Sequence, residues 1–206
     1  MDPALQLIIV MGSLSLLPFA VVSMTSFLRY IIVLSILKTA LGTQQVPPAI
    51  VLVGMALILT LYTMAPVFTD IQQRTAPLVA KKADVVQVFN VGSEPLKQFM
   101  MRQTREQDVA FFVKMARKNP PESPKDLTLW EVAPAFLISE MRTAFEIGFV
   151  LFIPFIVLDL VVANILLALG MMMLSPTIIS LPFKILIFIA VDGWSLIING
   201  MVQSFN

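Results

Sequence analysis

Residues 147–198 read IGFVLFIPFIVLDLVVANILLALG, then MMMLSP, then TIISLPFKILIFIAVDGWSLII. Two apolar segments, Ile147–Leu169 and Thr177–Ile198, are joined by the turn Gly170–Pro176. The first carries one charge, Asp159, and the second carries two, Lys184 and Asp192. On an insertion scale the thirteen Ile, Leu, Phe and Val residues of Thr177–Ile198 gain roughly 4–8 kcal/mol, and the Lys and Asp cost roughly 5–7. The balance is near zero, so this segment should not settle in lipid alone. Pro154 and Pro182 each remove a backbone donor and are expected to bend or break their helices. Buried charges and broken helices are tolerated where protein surrounds them or a cavity is lined. The hairpin therefore reads as part of an assembly that faces a pathway.

Outward from this hairpin, the composition agrees. The chain has 206 residues, 58% hydrophobic and 13% charged, with a mean hydropathy of +0.89. That is too apolar for a soluble domain of this length and points to membrane association. There is no Cys and no His, which excludes disulfides, zinc sites of the usual Cys/His kind, haem ligation through His and His-based catalysis. No cofactor or metal site is expected. A net charge of +1 offers no electrostatic case for nucleic acid. Charge is concentrated in residues 69–146, which hold 21 of the 27 charged side chains. The remaining six are Asp2, Arg29, Lys38, Asp159, Lys184 and Asp192.

Leu5–Phe27 is a charge-free run of 23 residues, long enough to span hydrocarbon. It lacks a basic leader and exceeds a signal-peptide core, so it reads as part of the mature protein. Pro18 interrupts it, and the triplets Leu17-Pro18-Phe19, Ile153-Pro154-Phe155 and Leu181-Pro182-Phe183 form a weak repeat suggesting bent hairpins. Gly42 is placed to cap the helix before it, and Pro47-Pro48 can open the next one. Ile50–Met64 is the second apolar segment, ending at Pro66. Arg29 and Lys38 between the two segments put their connection in the cytoplasm by the positive-inside rule. Residues 69–146 and both termini then lie outside.

Within 69–146, Thr104-Arg105-Glu106-Gln107 and Thr128-Leu129-Trp130-Glu131 are capping-box patterns. The first precedes an amphipathic helix, and a shorter helix is expected from about Ser93. Asn119–Pro124 reads as a loop, and the second box opens a long helix towards Phe149. Residues 70–92 give no clear period. The expected organisation is all-α: an N-terminal hydrophobic hairpin (1–68), a polar helical extracytoplasmic domain (69–146) and a C-terminal hydrophobic hairpin (147–206).

Four features of this framework could carry function. Arg142 and Glu146 are four apart and can pair locally. Glu140 shares the apolar face of Phe136, Leu137, Met141, Ala144 and Gly148, and reads either as a helix charge or as a carboxylate paired across an interface. Asp159 and Lys184 have no opposite charge within a turn. Isolated buried charges cost several kcal/mol, so Glu140 and Asp159 are both candidate partners for Lys184; the bland alternative is snorkelling near headgroups. An Asp159/Asp192 protease dyad, a Ser180/Lys184 dyad and a proton-coupled transporter using Asp159 are further readings. The Asp dyad lacks a Gly-x-Gly-Asp context, and 206 residues is short for a transporter. Met171, Met172 and Met173 are either core filler or a deformable seal of flexible thioethers.

Several motifs together resemble the export-gate family of type III secretion. They are PAF (134–136), Ser139-Glu140, TAFEIG (143–148), PFIVLDL (154–160), ALGMMM (168–173), SLPFK (180–184) and VDGW (191–194), with Thr25-Ser26-Phe27 and Ala40-Leu41-Gly42 further back. MMRQTRE (100–106) and Gln203-Ser204-Phe205 are more similar to the flagellar branch than to the virulence injectisome branch. The resemblance implies a non-enzymatic, pore-forming subunit that passes unfolded export substrates across the bacterial inner membrane. It implies a homo-pentamer completed by FliQ and FliR, with FlhB beside it. The hairpins would stack into a conical assembly on the periplasmic face of the flagellar basal body, in contact with lipid. It also implies that Met171, Met172 and Met173 form the pore gasket. Independently, the cost of isolated buried charges leads us to expect that Glu140, Asp159 and Lys184 form ion pairs holding neighbouring copies or hairpin arms together. One departure is Leu174-Ser175-Pro176, where the family commonly has a double Pro.

Overall fold

A computed structural model of the chain describes residues 11–12, 15, 18–43, 46–116 and 126–205. Among these the chain is helical, with no strand. The helices are α1 (Pro18–Met24), α2 (Phe27–Ala40), α3 (Ala49–Ala80), α4 (Val85–Gln103), α5 (Glu106–Ala116), α6 (Leu129–Ala168), α7 (Pro176–Ala190) and α8 (Gly193–Gln203). Two are long and apolar enough to cross a membrane, α3 and α6. The pairs α1–α2 and α7–α8 pass the same test when each is taken as one interrupted span. The expected loop at Asn119–Pro124 and most of Leu5–Leu17 lie outside the described residues.

The expected proline breaks are not where the helices end. Pro154 and Pro182 lie within helical turns, and α3 continues through Pro66 and Pro77 to Ala80, whereas Pro18 is the first residue of α1. In apolar surroundings an interrupted helix would leave several peptide groups unpaired, whereas a proline inside the helix forfeits one bond. Continuing the helix is the smaller loss. The interruptions fall instead at Thr25-Ser26 and at Val191-Asp192, where α7 and α8 meet at 64°. Asp192 takes a left-handed conformation there, with φ of 51°. Gly193 follows because a Cβ at that position would overlap the Phe188 ring.

The chain divides into two compact units. One contains residues 1–28 and 60–141. Its core gathers Phe99, Met100, Val113, Val132 and Phe136, with the Phe99 and Phe136 rings edge to face at 5.9 Å. Ser139 holds the α4–α5 corner: its hydroxyl accepts from the Arg105 N–H at 3.0 Å and donates to the Gln103 carbonyl. The helix expected from Ser93 begins earlier, at Val85. Thr104 does not cap α5; its hydroxyl bonds back to the Met100 carbonyl at 2.7 Å, and the Arg105 carbonyl takes the first α5 amides. The Glu131 half of the second box is present. The Glu131 carboxylate accepts from the Thr128 N–H at 2.8 Å and from its hydroxyl at 2.7 Å.

The other unit contains residues 29–59 and 142–206. Tyr30, Val33, Leu34, Leu37 and Ala40 give α2 one fully buried face, with the three- and four-residue spacing of an amphipathic helix. Gly42, at φ of 75°, ends α2 as expected. Gly148 brings α6 against Ile36 so closely that a Cβ would overlap that side chain. The expected divisions at 68/69 and 146/147 fall inside α3 and α6, so those helices carry residues of two sequence zones each.

Candidate functional site

The methionine turn is fixed at both ends by local chemistry. Gly170, at φ of 73°, stops α6. The Met171 N–H donates to the Leu166 carbonyl at 2.9 Å, and the Gly170 N–H to the Leu167 carbonyl at 3.0 Å. This paired pattern is the Schellman motif, which needs a left-handed residue where Gly170 stands. Ser175 then takes the N-cap position of α7, with Pro176 just inside the helix, where a missing N–H costs nothing. Between these two anchors Met171, Met172 and Met173 are exposed, and Met173 is 100% accessible. No described residue covers the tip.

Below the turn, the two arms of the hairpin are joined by charge. Lys184 Nζ on α7 lies 2.7 Å from Asp159 Oδ2 on α6. It also donates to the Ala40 carbonyl, at 3.2 Å, in the last turn of α2. Lys184 is only 3% exposed. The Ser180 hydroxyl donates to the other oxygen, Asp159 Oδ1. The carboxylate therefore receives a charged donor and a neutral one, and the ammonium also satisfies an end-of-helix carbonyl. Burying a pair is tolerable only with such supplementary bonds.

This geometry decides between readings of the same residues. Lys184 is an ammonium donor committed to a carboxylate and a carbonyl, and Ser180 donates to Asp159, so Lys184 is not placed as a base towards Ser180. Asp159 is counter-charged by Lys184, unlike a carboxylate sharing a proton with a second acid. Asp192 is exposed at the start of α8. Glu140, fully buried, belongs to the other unit. An apolar groove of about 380 Å³ beside α2, lined by Ile32, Ile36, Phe145 and Phe152 among others, has no titratable side chain in its wall.

The sequence suggests a cytoplasmic loop charge at Arg29; the structure buries it in α2. Its guanidinium donates to the Ser204 carbonyl at 3.0 Å and to the Ser204 hydroxyl at 2.8 Å, and lies 3.7 Å over the Phe205 ring. Arg29 therefore drops out of the positive-inside count, leaving Lys38. No local signal could reveal a contact spanning 175 positions, although a lone Arg between apolar runs was itself a sign of burial.

The FliP family profile matches residues 10–201. This chain belongs to the FliP family. It is 47% identical over 201 residues to the flagellar biosynthetic protein FliP of Bacillus subtilis (strain 168), covering 97% of this chain and 91% of that protein. It is 46% identical over 206 residues to the flagellar FliP of Caulobacter vibrioides, covering 100% and 77%. It is also 43% identical over 209 residues to the Yop proteins translocation protein R of Yersinia pestis, covering 98% and 96%. The matched span includes the methionine turn, Asp159, Lys184 and Arg29, and ends before Ser204.

Proposed function

We infer that this FliP-family chain is a pore-forming subunit of the type III protein export gate in flagellar biosynthesis, and that unfolded export substrates cross the membrane through the assembly it builds. The observation that carries this reading is the methionine turn. Three consecutive thioether side chains stand uncovered between a Schellman stop and a proline start. A rigid mount with soft, uncharged tips is suited to closing around an object of variable width.

Several finer statements belong to the same reading. The subunits form a homo-pentamer completed by FliQ and FliR, with FlhB associated. The assembly sits at the bacterial inner membrane with much of it on the periplasmic face, and residues 69–146 are extracytoplasmic. Met171, Met172 and Met173 converge on the axis as the resting seal. Glu140, Asp159 and Lys184 hold hairpin arms and neighbouring copies in register. The role is mechanical: the polar groups below the turn are joined to one another and not poised to react. The injectisome counterpart is the second reading, supported by the 43% identity to the Yersinia protein.

Mass measurement of the detergent-solubilised protein, co-expressed with FliQ and FliR, tests the proposal. A complex containing several copies of this chain is expected. A monomer that binds neither partner would overturn it.

A further inference from the structure

Helix α2 is tied to the bent pair α7–α8 near both of its ends. Near its start the buried Arg29 donates to the Ser204 carbonyl and hydroxyl, just past the end of α8, and lies over the Phe205 ring. Tyr30 adds a tilted ring contact with Phe205, 5.5 Å between centroids. At the other end the Ala40 carbonyl accepts from Lys184 in the middle of α7. Gly42 follows so closely that a Cβ there would meet Leu181 at 3.5 Å. The break between α7 and α8 falls between the two ties, at Val191-Asp192.

The lengths favour a bent pair. Arg29 and Ala40 are about 17 Å apart along a helix, whereas Lys184 and Ser204 would be about 30 Å apart on a straight one. A bend of 64° shortens the second span to about 26 Å. Two long side chains, Arg29 and Lys184, close the remainder, as their bonds show. Local chemistry makes the break itself, since Asp192 is left-handed and Gly193 packs on the Phe188 ring. The angle across the break is a separate matter. A few residues between helices can act as a hinge unless both arms are held.

We propose that α2 is a brace that sets the angle between α7 and α8, and so the direction in which the methionine turn is presented, with Arg29 as its positioning residue. A neutral side chain cannot take that place, because the guanidinium bonds Ser204 twice and faces an aromatic ring at once. The α7 tie has a second support, since Lys184 is also held by Asp159. The brace lies within one chain and does not depend on the gate reading; that the turn it aims is the seal rests on that reading.

The chain contains no Cys, so introduced thiols can be spin-labelled uniquely. Ile178→Cys in the first turn of α7 and Asn199→Cys on α8, both exposed, place one label on each arm. The full chain, co-expressed with FliQ and FliR and diluted with unlabelled copies, is read by pulsed electron spin resonance. The parent should give one narrow distance. Arg29→Met should broaden it and shift it by about 4 Å towards the straight-helix value. Phe205→Leu, which removes only the ring, should broaden it less. Leu34→Ala, at a fully buried site midway between the ties, should lower the melting temperature and leave the distance unchanged.

An unchanged distance in Arg29→Met would overturn the proposal; if that variant does not fold, Phe205→Leu carries the test in its place. A Leu34→Ala shift as large as that of Arg29→Met would overturn it too, because the tie at Arg29 would then have no special part. A shifted distance in an assembled gate that stays closed to ions supports the brace and counts against the seal.

Discussion

Lys184 Nζ lies 2.7 Å from Asp159 Oδ2 while also bonding the Ala40 carbonyl, so one ammonium ties α7 to α6 and to the C-terminal end of α2. Removing Asp159 leaves the buried Lys184 without its counter-charge, and Asp159→Ala is expected to cost about 3–5 kcal/mol. Lys184→Ala leaves Asp159, 27% exposed and still bonded to Ser180, and is expected to cost less, about 1.5–3 kcal/mol. Asp159→Leu combined with Lys184→Met should recover much of that loss, since both stranded charges are then gone. Thermal unfolding of the detergent-solubilised protein compares the two. A Lys184→Ala protein as stable as the original would mean the pair contributes nothing.

Replacing Met171, Met172 and Met173 together by Ala should leave assembly intact and open a leak. The turn's backbone is held by Gly170 and Pro176, which the substitutions do not touch. The lost thioethers would leave a gap on the axis for water and ions. Growth under ionic or osmotic challenge, with FliQ and FliR co-expressed, reads the leak. A triple-Ala gate as tight as the original places the seal elsewhere, Phe149, Phe152 and Phe155 being the next candidates.

Gly193 and Gly200 should respond in opposite ways to Ala. A Cβ on Gly193 overlaps the Phe188 ring, whereas one on Gly200 meets nothing within 4 Å. Gly193→Ala should destabilise by about 1–3 kcal/mol through overpacking. Gly200→Ala, inside a helix, should be neutral or stabilise by up to about 1 kcal/mol. Paired melting curves in one detergent decide it, and equal losses would show that the Phe188 contact is not limiting.

Glu131→Ala removes the acceptor for the Thr128 N–H at the start of α6. A loss of about 0.5–2 kcal/mol is expected for such a cap. Hydrogen exchange should quicken in the first turn of α6 and stay unchanged beyond it.

Much of this was legible because it is local. Thr128 and Glu131 are three apart, and Gly42 and Gly170 end helices by their own backbone freedom. The prolines misled because their effect depends on surroundings: a helix in apolar contact continues through Pro66 or Pro154 where water would let it open. The break falls instead at Asp192-Gly193, an Asp-Gly pair of the kind that favours turns. For Lys184 the sequence narrowed the partner to two acids, but choosing Asp159, 25 positions away, required the fold. The Ala40 carbonyl and the Arg29–Ser204 contact left no trace in spacing at all.

Glu94 supplies a pH-dependent contribution outside the apolar helices. The Lys97 hydrogen bond holds its carboxyl below the ordinary range. Its contribution is present above the unfolded Glu pKa and fades as pH falls through the lowered folded value. Glu94→Gln should flatten that acid limb in a stability–pH profile; an unchanged profile would mean the pair is broken in solution.

The exposed thioethers have a chemical vulnerability as well as a mechanical use. Two-electron oxidants convert methionine to its sulfoxide, replacing a soft apolar tip with a polar, chiral one. Met173, fully accessible at the head of the hairpin, is open to that reaction whenever the tip is not packed against other copies. Such a seal therefore ages by its own chemistry, and its lifetime in an oxidising compartment depends on how quickly methionine sulfoxide is reduced back.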